Sequence, residues 1–171
     1  MPGARGRLTA VIGPSGAGKS TLAGAFVASH PSFQLVLTHT TRPPRPGEAG
    51  THVFVSDQDF DRTPYLGSLS LFGARYGLPP IADPASTVVL LRLAALDQLA
   101  GLFPDARIIQ VEAPADILVQ RLCQRGDPQR ADRRALRQET LAGRAAAQAV
   151  VRTDQPFDQA LTDFARLVSG A

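Results

Sequence analysis

The segment Gly13-Pro-Ser-Gly-Ala-Gly-Lys-Ser-Thr21 restricts this chain more than any other feature. It follows the short apolar run Leu8–Ile12 and precedes a stretch in which Leu22, Phe26 and Val27 recur at helical spacing. A buried strand, a glycine-rich loop and a helix starting near Lys19 are therefore expected in that order. The pattern fits G-x-x-x-x-G-K-[ST], in which glycines let consecutive backbone N–H groups converge on phosphate oxygens at a helix N-terminus. Gly13, Ser15, Gly16, Ala17, Gly18, Lys19, Ser20 and Thr21 are thus candidates to hold the phosphates of ATP. Lys19 is expected to follow the γ-phosphate in transfer, and the Ser20 hydroxyl to ligate Mg²⁺. An ordinary glycine turn is the competing reading. Against it stands the basic composition: of eighteen Lys and Arg residues, Lys19 is the one lysine. A slim ammonium fits where a loop closes around phosphates, and a planar guanidinium does not.

With 171 residues, 44% of them apolar and 19% charged, the chain suits one α/β domain. No apolar run reaches the length of about 18 residues needed to cross a bilayer, and the N-terminal MPGARGR lacks the pattern of a signal peptide. One cysteine, Cys123, excludes an internal disulfide and suits a reducing cytoplasm; it reads as a helix-face core residue. The arginines are dispersed, so a small-molecule partner is expected and nucleic acid or a membrane is not, with a monomer or homodimer as the working form.

Strands are expected at Gln34–Leu37, Thr87–Leu93 and Ala106–Val111, alternating with helical patterns, which argues for a parallel sheet flanked by helices. Shorter strands are expected at His52–Val55 and Ser68–Phe72. Ser56 with Asp59 reads as a helix cap opening SDQDF. Helical spacing returns at Ala115–Arg125, Arg133–Val150 and Phe157–Val168, the last with Phe157, Leu161, Phe164 and Val168 on one face.

The order GPSGAGKST, then Thr38-His-Thr-Thr-Arg-Pro-Pro-Arg-Pro-Gly-Glu48, then His52-Val-Phe-Val-Ser, then Gly73-Ala-Arg-Tyr-Gly77 resembles the guanylate kinase family. The resemblance implies a P-loop NTPase-type core over residues 7–37, 87–125 and 135–171, an inserted acceptor-binding lobe over 38–86 and a lid over 126–134. It implies that Arg42, Arg45 and Tyr76 bind the acceptor phosphate, that Thr38 lies near the acceptor base, and that His52 stands where the family has a phosphate-touching tyrosine. A partly exposed strand histidine is the alternative for His52. Arg121, Arg125, Arg130, Arg133 and Arg134 crowd a segment broken by Gly126 and Pro128, where the family's lid arginines close over the donor. Arg125 and Arg134 are the catalytic candidates, with Arg121 and Arg133 behind them. Thr153 falls where the family's loop contacts adenine.

The family's guanine-reading acids have no counterpart. Leu66-Gly-Ser-Leu-Ser-Leu-Phe72 precedes Gly73, and Leu91, Arg92 and Leu93 occupy the strand end. The leading reading is ATP-dependent phosphorylation of a nucleoside monophosphate, most like GMP. A second is a kinase of a phosphorylated sugar such as ribose 1,5-bisphosphate, and a third, of another class, is a weakly catalytic binding domain.

Overall fold

The computed structural model describes residues 7–45, 48 and 50–170. Pro46 and Gly47 of the arginine motif, and the basic N-terminal segment up to Gly6, lie outside the described residues. Five strands form a parallel sheet: β1 (Thr9–Ile12), β2 (Gln34–Val36), β7 (Thr87–Leu90), β8 (Arg107–Glu112) and β9 (Ala149–Arg152), in the spatial order β2-β7-β1-β8-β9. β1 lies between β7 and β8, with Val11 opposite both Leu90 and Ile109. Its four residues are all buried, as expected of a strand covered on both faces.

Alternation along the strands feeds two cores. Val11, Val88, Leu90, Ile109 and Val111 meet α1 (Lys19–Ser29), α4 (Ala115–Gln124), α5 (Arg133–Ala146) and α6 (Phe157–Ser169) through Leu22, Phe26, Leu118, Leu136 and Phe164. Ala10, Ile12, Val89 and Leu91 meet Leu96 and Leu99 of α3 (Leu96–Leu102) on the opposite face. Phe26 anchors the first core, with its ring 5.0 Å from Phe33 and 5.7 Å from Phe164.

A second sheet, in the order β4-β3-β6-β5, is built from β3 (His39–Thr40), β4 (Val53–Phe54), β5 (Gly67–Leu71) and β6 (Ala74–Leu78). β5 and β6 form a hairpin whose turn residues Phe72 and Gly73 both take positive φ, 51° and 76°. This primed-turn geometry matches strand twist. It ends the strand at Leu71 and leaves Phe72 almost wholly exposed. α2 (Asp57–Arg62) is capped as its sequence suggests, the Ser56 hydroxyl accepting from the Asp59 amide at 3.0 Å. Arg75 fastens α2 to the sheet, stacking 4.5 Å over Phe60 and donating to Asp61 and Asp57 at 2.6 and 2.7 Å.

Several elements depart from the sequence expectations. The third core strand stops at Leu90, because the chain turns through a 3₁₀ segment at Leu93–Ala95. The long helix ends at Ala146 and its last residues become β9, where Val151 pairs with Val111 in the sheet and is buried. Strands β3 and β6 carry no apolar alternation of their own and were not expected. Cys123 is exposed, on the outer face of α4. Phe157, at the start of α6, is 46% exposed, and Ala160 takes its place in the core beside Phe164 and Val168.

Candidate active site

The glycine loop connects β1 to α1 in the expected order. Gly13 has φ 144°, and a Cβ there would lie 2.0 Å from the Val111 carbonyl oxygen of the neighbouring strand. Gly18 caps α1 with φ 92°. These two positions require glycine for backbone conformation, and Gly13 also for space. Lys19 folds back, donating to the carbonyls of Gly13 at 2.6 Å and Pro14 at 2.9 Å. Burial lowers its pKa to about 8; Arg130, Arg92 and Arg125 push the same way, against Glu139.

The loop opens on a groove of about 480 Å³. Gly13, Ser15, Gly16, Gly18, Lys19, Ser20 and Thr21 line one wall. Arg45, Glu48 and His52 come from the segment around β3 and β4, Arg92 from the end of β7, and Arg125, Asp127 and Arg130 from the α4–α5 connection. Ala17, within the loop, is fully buried and does not line the groove.

Arg42 and Glu48 form a two-pronged ion pair, with contacts of 2.5 and 2.7 Å and side chains 10% and 14% exposed. Burial alone would raise the Glu48 pKa, but the Arg42 guanidinium and the Arg45 amide hold it down to about 2. Arg42 is thereby positioned, while the Arg45 Nη1 has no hydrogen-bond partner among the described residues and makes a long ion contact of 3.9 Å with Asp127. His52 is half-buried, with Nδ1 2.9 Å from the Thr38 hydroxyl. Burial, then the charges of Arg42 and Arg92, lower its pKa to about 4, so it is neutral at pH 7. Tyr76 is buried on β6, its ring 5.7 Å from that of His52.

Behind the loop, Thr153 donates its hydroxyl proton to the Ala17 carbonyl at 2.7 Å. Arg121 bridges the Gly16 carbonyl at 3.2 Å and the Thr153 hydroxyl at 2.9 Å. Arg121 therefore supports the loop and the turn after β9 together. On the opposite wall Arg130 donates to the Ser15 hydroxyl and faces Asp127 at 3.6 Å. Asp127 thus stands between an arginine of the small sheet's lobe and an arginine beside the phosphate loop.

Of the residues singled out in the sequence, the structure gathers the loop, Arg45, His52 and Arg125 around one groove, with Thr38, Arg42 and Tyr76 directly behind His52. Arg134 is not among them. It lies in the exposed first turn of α5, beside a separate groove that it shares with Arg133, Arg137 and Arg144, and Arg133 pairs there with Asp116 at 2.5 Å. Arg92, Asp127 and Glu139 were not foreseen as site residues, and Arg130 only as one of a cluster. The arginine crowding between α4 and α5 was the signal for Arg130. Glu139 is one polar residue on a helix full of them and gave no signal.

The guanylate kinase family profile matches residues 5–69 of this chain. The guanylate kinase of Streptomyces coelicolor is 38% identical over 95% of this chain and 85% of its own length. That of Paraburkholderia xenovorans is 35% identical over 96% and 80%. Among solved structures, a guanylate kinase from Anaplasma phagocytophilum superposes with a TM-score of 0.72 at 17% identity, covering 96% of this chain and 85% of that one. A sugar kinase from Janibacter sp. HTCC2649 covers 96% and 95%, with a TM-score of 0.51 at 15% identity. The glycine loop, the arginine motif ahead of β4 and 38% identity to the Streptomyces coelicolor guanylate kinase over 95% of this chain converge: the chain belongs to the guanylate kinase family.

Proposed function

We propose that this protein transfers the γ-phosphoryl group of ATP to the phosphate of a nucleoside monophosphate, GMP being the acceptor that its family relationship indicates. One observation carries the reading: a complete phosphate loop and the arginine motif of a second lobe face each other across a single groove. On this reading residues 38–86 form the acceptor lobe, residues 126–134 the lid, and the remainder the core. The loop amides from Gly13 to Thr21 hold the donor phosphates, with Thr153 near the adenine. Arg42, Arg45 and Tyr76 hold the acceptor phosphate, with neutral His52 donating one further hydrogen bond and Thr38 reaching the base.

An oxygen of the acceptor phosphate attacks the γ-phosphorus, the bond to the β–γ bridging oxygen breaks, and ADP leaves with the electron pair. Negative charge spread over the transferring group meets Lys19, Arg125 and Arg130, so stabilisation is electrostatic and depends on the groove closing. Arg134, on the far side of α5's first turn, is not part of this set. Hydroxyl and carboxylate oxygens from Ser20 and Glu139 are donors of the type that Mg²⁺ prefers. No cluster of three metal-ligating side chains occurs among the described residues, which suits an ion that takes most of its ligands from phosphates and water. Bound with ATP, Mg²⁺ neutralises charge on the β- and γ-phosphates. A groove of this size admits a small molecule, and none of the described helices is long and apolar enough to cross a membrane. We infer a cytoplasmic enzyme, monomeric or homodimeric, with no nucleic-acid or membrane partner.

ADP release from ATP and GMP, followed in a coupled assay, tests the reading. Lys19→Ala is expected to lose about a hundredfold or more in rate with the fold intact. Turnover within about threefold of the parent protein would overturn it.

A further inference from the structure

Arg92 follows the end of β7 and precedes the 3₁₀ turn at Leu93–Ala95. Its backbone is tied down on both flanks: the Leu91 amide donates to the Val11 carbonyl at 3.0 Å, and the Arg92 carbonyl accepts from the Ala95 amide at 2.9 Å. The guanidinium carbon lies 4.7 Å over the Tyr76 ring. Stacking uses a flat face of the guanidinium and leaves its N–H donors directed outward in the plane. Nε is buried without a hydrogen-bond partner, and no ion pair among the described residues includes Arg92. The carboxylates of the groove do not neutralise it: Glu48 pairs with Arg42, Asp127 stands beside Arg45 and Arg130, and Glu139 makes no ion pair with it. A cation held in this company carries a desolvation penalty that an entering anion offsets.

Arg92 shares the groove with Lys19 and Ser20 of the glycine loop and with Arg45 and His52 from the segment around β3 and β4. Its field reaches both sets. Among the charges that weigh most on the Lys19 ammonium and on the His52 imidazole, Arg92 is the one the two groups share, and it lowers the pKa of each. Arg125 and Arg130 bear on Lys19, and Arg42 on His52. Those arginines stand on the α4–α5 connection and on the second lobe, whereas Arg92 extends from a strand paired on both sides, with β2 and β1. A donor carried by the central sheet is in place before any part of the groove closes, and such preorganisation is what charge stabilisation in a transition state requires.

We propose that Arg92 is a further catalytic residue, its guanidinium donating both to an oxygen of the acceptor phosphate and to an oxygen of the γ-phosphoryl group in transfer. The inference rests on the kinase reading above. An oxygen of the acceptor phosphate attacks the γ-phosphorus, the bond to the β–γ bridging oxygen breaks, and ADP leaves with the electron pair; Arg92 keeps its protons throughout. Two anions repel as they approach, and a cation shared between them gains most where they are closest, at the transition state.

A compound in which five phosphates join adenosine to guanosine spans both sites, and a non-hydrolysable ATP analogue is the matched probe of the donor site alone. With the full chain and Mg²⁺, calorimetry on Arg92→Leu is expected to show the joined compound losing about ten- to a hundredfold in affinity, the range of one charge-assisted contact, and the ATP analogue changing by less than about threefold. In the coupled assay with ATP and GMP, kcat falls by about a hundredfold or more while the KM for ATP holds. Arg92→Lys keeps the charge without the fork and recovers about tenfold over Arg92→Leu, whereas the uncharged Arg92→Gln recovers none. A kcat within about threefold of the parent protein, equal losses on the joined compound and the ATP analogue, or recovery by Arg92→Gln equal to that by Arg92→Lys overturns the proposal. Failure of the kinase reading looks different: the parent protein itself forms no ADP with any nucleoside monophosphate, and the two titrations then decide by themselves whether Arg92 bridges the phosphate sites.

Discussion

Lys19 and the Arg42–Glu48 pair show how far one residue's surroundings set its chemistry. With its pKa lowered to about 8, chiefly by burial, Lys19 is largely protonated at pH 7 and loses its charge as pH rises through that value. ATP phosphates favour the charged form, so ATP affinity is expected to be flat below pH 8 and then to fall by up to about tenfold per unit above it. Calorimetry at pH 8 in buffers of different ionisation enthalpy should show proton uptake on ATP binding, and Lys19→Ala should abolish it. Arg42 and Arg45, equivalent in sequence, separate in the structure. Arg45→Ala is expected to raise the acceptor KM about tenfold with an unchanged urea midpoint, as for the loss of one charge-assisted contact. Arg42→Ala should raise KM and also cost about 1–3 kcal/mol of stability, because it strands the nearly buried Glu48. Denaturation curves and steady-state kinetics on both variants separate the two effects.

Among the elements, α5 is placed by a polar contact with β8 rather than by apolar packing alone. Glu112, buried at the end of β8, accepts from Arg144 of α5 and from the Gln110 side chain at 2.6 Å. Gln110 also donates to the Thr140 carbonyl at 2.9 Å. The Arg144 guanidinium, working against burial, holds the Glu112 carboxyl below the usual range. This close approach requires Gly143, where a Cβ would lie 1.7 Å from Gln110 Oε1. Alanine raises helix propensity at an ordinary glycine site. Here Gly143→Ala is expected to destabilise by about 1–3 kcal/mol through overpacking, read as a lower urea midpoint. An unchanged or raised midpoint would show that Gln110 swings aside without loss. Because α5 carries Glu139 to the groove, the same variant should also weaken ATP binding.

At the scale of the whole molecule, the two sheets meet the α4–α5 connection around one groove, and acceptor selectivity follows from what lines it. Without carboxylates for the N1–H and amino group of guanine, the preference for GMP over AMP and IMP in kcat/KM is expected at about ten- to a hundredfold. A preference above about ten-thousandfold would mean that an acid reaches the base from elsewhere in the chain. The phosphate loop, the parallel sheet and the family were legible in the sequence, because a glycine loop between strand and helix imposes its own geometry and the core strands are apolar on both faces. The expected helix through Val150 failed because residues 149–152 are claimed by sheet pairing to β8, a tertiary contact that overrides local periodicity. Cys123, read as core from its apolar neighbours, falls on α4's outer face because Leu118 and Leu122 set which side packs inward. Arg92 was visible in the sequence only as the place where an acid is missing. Its position over Tyr76 joins two strands of different sheets, and only the fold brings them together. The sequence by itself determined the glycine loop proposed to hold phosphate, since that chemistry is written in consecutive residues. The tertiary structure alone decided which cations face the groove, since Arg92, Arg125 and Arg130 enter it from separate segments while Arg134 points elsewhere.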